Sequence, residues 1–407
     1  MGSRNCASRM KGEPIMADSQ PLHFLPPIDR IAFEKLRRIA PNFLEQRRHD
    51  RAASWHAMPL PEEIAFKLTN RCDLRCSHCY QWKEDGYHRQ LSATEMKGDL
   101  DLGIIESVFE VTRTKRSNVF LWGGEPLVYQ HWDGLIDLLE RDERWTSICT
   151  NGTMLEKRMP SLLRVSKNLE ISISLDGFAP EHNAVRGKHA FERTMAGLAL
   201  LLERKRSGHF LGEITVNFVI TQAMVGRIFE FASFIESLGV DTLYVSYPWF
   251  LSNEAMQRMD AYYATHFGWE QRIGRASWYS YNYQLGSDLL PVLQHQIDQL
   301  NAAHWRLKLR YNPELDADDL PVFISGSDVP AQKKTRCQST STRMDVFPDG
   351  SVVSCKFFPE FRVADLNTQT VEQAWRSKKF DQVRETVSTC GLMPVCAKCN
   401  LLYARGA

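Results

Sequence analysis

The chain has 407 residues, of which 43% are hydrophobic and 24% are charged, and its formal net charge at pH 7 is +1. This length and hydrophobic content suffice for one large domain and a smaller one. The near balance of charge disfavours nucleic acid as an electrostatic partner. No apolar run is long enough to span a bilayer, and the first residues lack the pattern of a secretory signal. We therefore predict a cytoplasmic protein without nucleic-acid or membrane partners, whose ten cysteines are clustered for metal binding rather than for disulfides.

The N-terminal region is predicted to be helical. Residues 1–15 are expected to be a leader outside the fold, because Met16-Ala17-Asp18-Ser19 is typical of a natural start. In residues 16–62, apolar residues recur at helical spacing between positions 29 and 51, with a possible division at Pro41. We expect one or two amphipathic helices there, ahead of the main domain.

Strand and helix patterns alternate through residues 63–248. Six apolar stretches are predicted to be strands: Ile64 to Thr69, Asn118 to Trp122, Thr146 to Thr150, Leu169 to Leu175, Ile214 to Ile220 and Thr242 to Tyr247. Segments between them, such as Trp132 to Arg141 and Ile228 to Leu238, have the apolar period of covering helices. This alternation predicts right-handed βαβ units around a parallel sheet.

Three cysteines follow the first predicted strand with the spacing C-x3-C-x2-C: Cys72, Cys76 and Cys79. Three thiolates can hold three irons of a [4Fe-4S] cube and leave the fourth iron without a protein ligand. A structural zinc site is the alternative, with His78 completing a Cys3His set. Zinc would not explain the glycine motifs that follow the later strands.

Each of the next three strands ends in a short motif. Gly123-Gly124-Glu125-Pro126 follows the second strand, Asn151-Gly152 the third, and Leu175-Asp176-Gly177 the fourth, with Arg186-Gly187 beyond it. In this order, and together with the cysteines and Tyr80, the motifs resemble those of the radical S-adenosylmethionine (SAM) superfamily. The resemblance implies an α/β fold, a partial (β/α)6 TIM-like barrel with its active site at the carboxyl ends of the strands, where barrel enzymes place their sites.

The resemblance also implies the cofactor chemistry. SAM would chelate the open iron, and the reduced cluster would cleave it to methionine and a 5'-deoxyadenosyl radical that abstracts a substrate hydrogen. Gly124 and Glu125 would lie near the methionine moiety, Ser174 and Arg186 near its carboxylate or the ribose, and Asn217 and Ile220 beside the adenosine. The other motif residues in the predicted cofactor site are Gly123, Pro126, Asn151 and Asp176. For Ser174 and Arg186, a purely structural role stays open.

A second cysteine group lies in residues 337–407: Cys337, Cys355, Cys396 and Cys399. It resembles a Twitch domain, the half-size relative of the SPASM domain, which implies a small α+β domain holding one auxiliary [4Fe-4S] cluster. Met344 to Phe347 and Val352 to Cys355 are predicted to form a hairpin around Asp349-Gly350. Cys390 is a possible alternative ligand, and a zinc ribbon is the alternative for the whole group.

The connecting segment, residues 249–336, is rich in helical and aromatic patterns, including Ser277-Trp278-Tyr279-Ser280-Tyr281-Asn282-Tyr283. Its aromatics are expected either to pack in the core or to form a pocket wall over the barrel mouth. The catalytic residue is not identified; the unranked candidates for a proton acceptor are Tyr247, His304 and Asp345.

The predicted function is oxidative modification, by dehydrogenation or by C-X or C-C bond formation, in peptide or natural-product maturation. Its partners would be a peptide or small-molecule substrate and a reductant such as flavodoxin or ferredoxin. A small-molecule dehydrogenase of the sugar-alcohol type, or an epimerase, is the alternative within the same class. An iron-sulfur electron carrier that does not cleave SAM and a zinc-stabilised interaction module are the alternatives of another class.

Overall fold

The computed structural model describes residues 55–406 without a break and, before them, helical backbone at residues 33, 37, 40, 44, 47 and 48. Contacts divide the chain into two units, residues 1–48 and 49–407. The predicted leader lies outside the described residues, as does most of the predicted N-terminal helical segment. Among the described residues, no helix combines the length and the apolar character needed to cross a membrane.

A ten-stranded sheet organises the second unit, in the order β10-β9-β8-β1-β2-β3-β4-β5-β6-β7. Strands β1 to β7 are all parallel, and β8 pairs with β1 in parallel as well. The strands are β1 Glu63–Lys67, β2 Asn118–Trp122, β3 Thr146–Thr150, β4 Leu169–Ser174, β5 Glu213–Val219, β6 Thr242–Ser246, β7 Lys308–Asn312, β8 Arg343–Val346, β9 Ser351–Val353 and β10 Arg362–Asp365.

The helices connect and cover these strands. They are α1 Ala93–Met96, α2 Leu102–Thr112, α3 Trp132–Arg141, α4 Leu155–Arg164, α5 Ala179–Arg186, α6 Ala190–Arg206, α7 Ile228–Leu238, α8 Asn253–His266, α9 Leu290–Ala302, α10 Asp319–Ile324, α11 Ser339–Thr342, α12 Val371–Trp375, α13 Lys378–Thr389 and α14 Asn400–Arg405. Short 3-10 turns occupy Tyr87–Gln90, Pro126–Val128, Ser166–Asn168, Gln222–Arg227, Ser277–Ser280, Ser287–Leu289, Ala331–Lys333 and Pro394–Lys398.

The two faces of the sheet differ in polarity because side chains alternate along each strand. In β4, Leu169, Ile171 and Ile173 are buried in the large core that the sheet shares with the helices. On the opposite face, Glu170 accepts hydrogen bonds from Ser147 at 2.7 Å and Thr215 at 2.9 Å. The inner face of the barrel is therefore polar enough to hold a ligand.

The prediction of a partial (β/α)6 TIM-like barrel is confirmed. The structure adds a seventh parallel strand, β7, within the segment expected to be helical and aromatic. It also shows that the C-terminal hairpin is part of the same sheet, because β8 pairs with β1 from Glu63 opposite Arg343 to Phe66 opposite Val346. This pairing places the second cysteine group beside the barrel interior.

The predicted hairpin is present as β8 and β9. The Phe347 N–H donates to the Ser351 carbonyl at 2.9 Å, and the Gly350 N–H donates to the Phe347 carbonyl at 2.9 Å. Gly350 has φ 79°, a left-handed conformation that glycine adopts without strain. The Asp349-Gly350 pair therefore forms the hairpin turn predicted from the sequence.

Candidate active site

The first cysteine group lies in the loop after β1, at the carboxyl edge of the sheet. Cys72, Cys76 and Cys79 pack in one small cluster with Leu74 and Ala190. Cys76 is buried and the other two are partly exposed. The Cys79 N–H donates to the Cys76 carbonyl at 3.1 Å, so the chain turns back on itself here. The loop brings the three predicted thiol ligands together.

Three thiols grouped in one loop are the donor set that a cluster with one open iron requires. Burial raises the pKa of Cys76 to about 12, and it also raises the pKa of Cys72 well above its usual range. Such a thiol loses its proton when a metal cation takes its place. Among the described residues, no three His, Cys, Asp or Glu side chains lie close enough together to hold a single metal ion. A four-iron cluster needs no such convergence, because each thiolate binds a different iron.

The Gly123-Gly124 pair after β2 packs on the backbone of the cysteine loop. A Cβ atom at Gly123 would lie 2.5 Å from the Thr69 carbonyl oxygen, and one at Gly124 would lie still closer to that of Arg71. The Gly124 N–H donates to Thr69 and the Glu125 N–H donates to Arg71, each at 2.8 Å. The sequence suggested glycines that let the backbone approach a ligand; in the structure they let the β2 loop dock against the cysteine loop.

Glu125 connects the second motif to the third. Its buried carboxylate accepts hydrogen bonds from the Leu127 N–H at 3.0 Å, the Thr150 hydroxyl at 2.6 Å and the Asn151 N–H at 2.7 Å. The Asn151 side-chain amide donates in turn to Asp73 of the cysteine loop at 2.8 Å. Burial raises the pKa of Glu125 to about 7, although these hydrogen bonds oppose the shift. Glu125 and Asn151 thus tie the ends of β2 and β3 to the cysteine loop.

Asp176 makes the corresponding connection from β4. Its fully buried carboxylate accepts hydrogen bonds from Arg186 Nε at 2.6 Å and the Val219 N–H at 3.1 Å, and its Oδ2 lies 2.9 Å from His78 Nε2. Burial alone would raise the pKa of Asp176, but the charges of Arg186 and His78 outweigh it and hold that pKa well below its usual range. The Asp176–Arg186 ion pair therefore contacts the cysteine loop through His78.

The remaining predicted cofactor residues follow the later strands. Ser174 and Asn217 are register partners in β4 and β5, and Asn217 accepts a hydrogen bond from the Ser246 hydroxyl at 2.7 Å. Ile220 is fully buried just beyond β5, and Pro126 is buried where it begins a 3-10 turn. Ser174 and Asn217 thus lie at the same edge of the sheet as the cysteine loop.

The second cysteine group lines one cavity. Cys337, Cys355, Cys396 and Cys399 all contribute to its wall, together with Asp345 of β8 and apolar side chains. Burial raises the pKa of Cys399 to about 12 and those of Cys355 and Cys396 well above the usual range. The donor set, four buried or partly buried thiols in one cavity, fits the predicted auxiliary cluster.

Cys390 lies apart from these four thiols. It caps the end of α13, it is exposed, and it does not line the cavity. Cys390 is therefore not grouped with the four cysteines of the cavity.

The three candidate proton acceptors are in different surroundings. Tyr247 is buried just beyond β6 and stacks on Tyr311 at 6.5 Å between ring centroids. Asp345 lines the four-cysteine cavity, but Arg343 donates to both of its oxygens, at 2.9 and 3.0 Å. His304 is exposed before the start of β7, at the edge of the sheet opposite the cysteine loop. The structure does not bring His304 to the site.

Aromatic side chains of the connecting segment lie between the two cysteine groups. Tyr281 stacks on Tyr80 of the cysteine loop at 4.7 Å and donates its hydroxyl to the Phe357 carbonyl at 3.1 Å. Trp249 packs against Phe357 at 4.2 Å. Trp278 is fully buried. Part of the connecting segment therefore packs in the core, which was one of the two expectations from the sequence. The segment also contacts both the cysteine loop and the C-terminal hairpin.

Sequence reasoning missed three residues on the inner face. Lys67 ends β1, Trp122 ends β2, and Lys356 follows Cys355. A signal for Lys67 was present, since it is the one charged residue after Glu63 in an otherwise apolar strand. Lys356 gave no comparable signal, because a lysine after a short hairpin is ordinarily exposed.

Two protein-family models match the parts of the chain that contain the three-cysteine loop and the four-cysteine cavity. Residues 66–232 match the model of the radical SAM superfamily, and residues 337–400 match that of an iron-sulfur cluster-binding domain, SPASM. The first match contains Cys72, Cys76 and Cys79, and the second contains the four-cysteine cavity. The prediction of SAM and iron-sulfur cofactors is confirmed at this level.

Similar proteins include a maturase and a synthase. The chain is 29% identical over 177 residues to a mycofactocin maturase, MftC, of Mycolicibacterium smegmatis, covering 43% of this chain and 42% of that protein. It is 24% identical over 358 residues to an AdoMet-dependent heme synthase of Methanosarcina barkeri, covering 84% of this chain and 91% of that protein.

Among solved structures, Streptococcus suis SuiB bound to S-adenosylmethionine has the same fold. Its TM-score is 0.56 at 15% identity, covering 92% of this chain and 79% of that chain. By contrast, the match to the mycofactocin maturase spans less than half of that protein's length. The two matches thus identify a radical SAM domain in residues 66–232 and an iron-sulfur cluster-binding domain, SPASM, in residues 337–400.

Proposed function

We propose that the protein is a radical SAM maturase that oxidises a peptide substrate by dehydrogenation or by C-X or C-C bond formation. One observation carries the proposal: the three-cysteine loop and the four-cysteine cavity are built on neighbouring strands of one sheet, because β8 pairs directly with β1. A radical site and an electron acceptor on adjacent strands are what a two-electron oxidation needs.

The chain's own cysteines would hold both clusters. Cys72, Cys76 and Cys79 would hold the cluster that binds SAM, and the cysteines of the four-cysteine cavity would hold one auxiliary cluster. When bound, these groups supply a radical that removes a substrate hydrogen and an acceptor for the second electron. Reduction of the first cluster would require an external donor, for which a flavodoxin or a ferredoxin is suitable.

The remaining motif residues orient the site. Glu125 and Asn151 hold the ends of β2 and β3 on the cysteine loop, and Asp176 holds Arg186 behind it. The stacked rings of Tyr80 and Tyr281 lie between the two cysteine groups, where they would shield from water the region through which an electron passes to the auxiliary cluster.

Support for a peptide substrate comes from the similar proteins. One is a mycofactocin maturase, and SuiB has also been solved with a precursor peptide, SuiA. A small-molecule substrate is the second candidate, because the heme synthase is similar over a longer part of the chain. Both candidates share the cofactor chemistry and differ in what enters the barrel.

Mass spectrometry of candidate substrates tests the proposal. The reconstituted enzyme is incubated with SAM, dithionite and synthetic peptides from short reading frames beside its gene. We expect one peptide to lose two hydrogens, and we expect no change with the Cys72→Ala/Cys76→Ala/Cys79→Ala variant. Production of 5'-deoxyadenosine with a change only in a small metabolite would replace the peptide proposal with the second candidate.

A further inference from the structure

Lys356 extends from the C-terminal hairpin into the barrel. It follows Cys355 and lines the four-cysteine cavity, yet its ammonium lies 4.2 Å from the ring centroid of Phe120 and 4.9 Å from that of Trp122. Both rings belong to the inner face of β2, which runs directly into the Gly123-Gly124 loop. The Lys356 ammonium therefore lies between the two cysteine groups, where a substrate must bind for both to act on it.

One donor at this position lacks an acceptor. Among the described residues, the buried indole Nε1 of Trp122 has no hydrogen-bond partner, and the Lys356 ammonium lies against the rings of Phe120, Trp122 and Phe357. Trp122 is only 5% exposed. A buried donor without an acceptor is costly, so such groups ordinarily meet a water or a ligand.

The neighbouring charges favour an anion. A second ammonium, that of Lys67, lies 5.7 Å from the Trp122 ring centroid on the inner face. The nearby carboxylate of Asp345 is occupied by Arg343, which also pairs with Glu63. Lys67 itself donates to the Tyr87 hydroxyl at 3.0 Å, and the Asp349 carboxylate that acts on it is paired with Arg362. The carboxylates near the two lysines, Asp345 and Asp349, are therefore each paired with an arginine.

We propose that Lys356 and the indole N–H of Trp122 bind a carboxylate of the substrate, an acidic side chain or a chain terminus, between the two cysteine groups. This inference rests on the proposed function for the identity of the substrate, but the anion site itself does not. Two donors of this kind match the two oxygens of a carboxylate. The aromatic walls, Phe120 and Phe357, suit the carbon chain that carries it.

Lysine acetylation in the reconstituted enzyme tests the site, with glutarate and its uncharged diamide, glutaramide, as probes. The rate at which Lys356 is acetylated is followed by mass spectrometry, with SAM present. We expect glutarate, but not glutaramide, to slow acetylation of Lys356 several-fold. The exposed Lys157 of α4 is the control and should react equally with both. Equal rates at Lys356 with both probes would overturn the site.

Two further measurements test the role of the Trp122 indole N–H and show whether the bound carboxylate belongs to the substrate or to SAM. Trp122→Phe keeps the ring and removes the N–H, so it should weaken the protection by glutarate; undiminished protection would overturn the role of Trp122. SAM also has a carboxylate. If SAM alone protects Lys356 fully and glutarate adds nothing, the site belongs to the cofactor and the substrate assignment is overturned.

Formation of 5'-deoxyadenosine, measured in parallel samples that contain SAM and dithionite but no acetylating reagent, separates this inference from the proposed function. Protection by glutarate without 5'-deoxyadenosine would contradict the proposed function and support the anion site. Production of 5'-deoxyadenosine without protection would overturn the anion site alone.

Discussion

The Arg186 guanidinium donates a 2.6 Å hydrogen bond to the Asp176 carboxylate, and both side chains are buried. The same carboxylate lies 2.9 Å from His78, between two of the cysteines. Asp176 is therefore the point at which the end of β4, helix α5 and the cysteine loop are joined.

Replacing Asp176 with Asn should destabilise the protein and weaken SAM binding. The substitution leaves Arg186 as a buried charge without its partner, which typically costs about 3–5 kcal/mol. Denaturant unfolding of the cluster-free protein measures the first effect, and SAM titration of the reduced protein by EPR measures the second. Asp133→Asn, at an exposed position of α3, is the control. Unchanged stability and unchanged SAM affinity would show that this ion pair does not organise the loop.

Replacing Gly124 with Ala should remove iron from the first site and leave the second intact. The added Cβ would lie 2.6 Å from the Asn70 carbonyl oxygen, so the loop that contains the cysteines must shift. Iron analysis after reconstitution should give about four irons per chain rather than about eight. Gly226→Ala, where the nearest atom is 3.9 Å away, should keep the full complement. Full iron in Gly124→Ala would mean that the contact with the loop is dispensable.

Replacing cysteines one at a time should distinguish Cys390 from Cys396. Cys396 is buried in the four-cysteine cavity and Cys390 is exposed outside it. We expect Cys396→Ala to lose the auxiliary cluster and Cys390→Ala to keep it, as read from iron content and the EPR spectrum of the reduced protein. Loss of the auxiliary signal in Cys390→Ala would show that Cys390 is a ligand.

Glu125 should make the cluster-free protein less stable as the pH rises. Burial raises its pKa to about 7 in the folded protein from an ordinary value of 4.5, so between these values the folded state binds more protons than the unfolded state. The free energy of unfolding should then fall by roughly 3 kcal/mol from pH 4.5 to pH 7 and stay level above it. Denaturant unfolding at a series of pH values, with Glu125→Gln as reference, measures this. A slope of the same size in both proteins would assign the pH dependence to other groups.

The barrel strands were predictable because their signals are local. The stretches Asn118–Trp122 and Thr146–Thr150 are mostly apolar or β-branched and are followed by turn residues, and both were predicted with the bounds that the structure has. Strand β7 was missed because its sequence, Lys308-Leu309-Arg310-Tyr311-Asn312, is largely polar and lies at the edge of the sheet. The pairing of β8 with β1 joins segments far apart in the chain, which no local pattern specifies.

The cysteines of the site were predictable for the same reason, since ligand spacing is visible in the sequence. The roles of other motif residues were not. Gly124 and Glu125 were expected near the cofactor, and their contacts with the cysteine loop depend on how β2 packs beside β1. Lys356 and Trp122 lie far apart in sequence, so their proximity follows only from the position of the hairpin on the barrel.

Cleavage of SAM is the reaction that a radical SAM enzyme must perform whatever its substrate is. The protein is reconstituted anaerobically with iron and sulfide, reduced with dithionite and incubated with SAM, and 5'-deoxyadenosine is followed by chromatography. We expect 5'-deoxyadenosine from the intact protein and none from the Cys72→Ala/Cys76→Ala/Cys79→Ala variant. A protein that holds its full complement of iron and yet forms no 5'-deoxyadenosine would rule out a radical SAM enzyme and favour an iron-sulfur electron carrier.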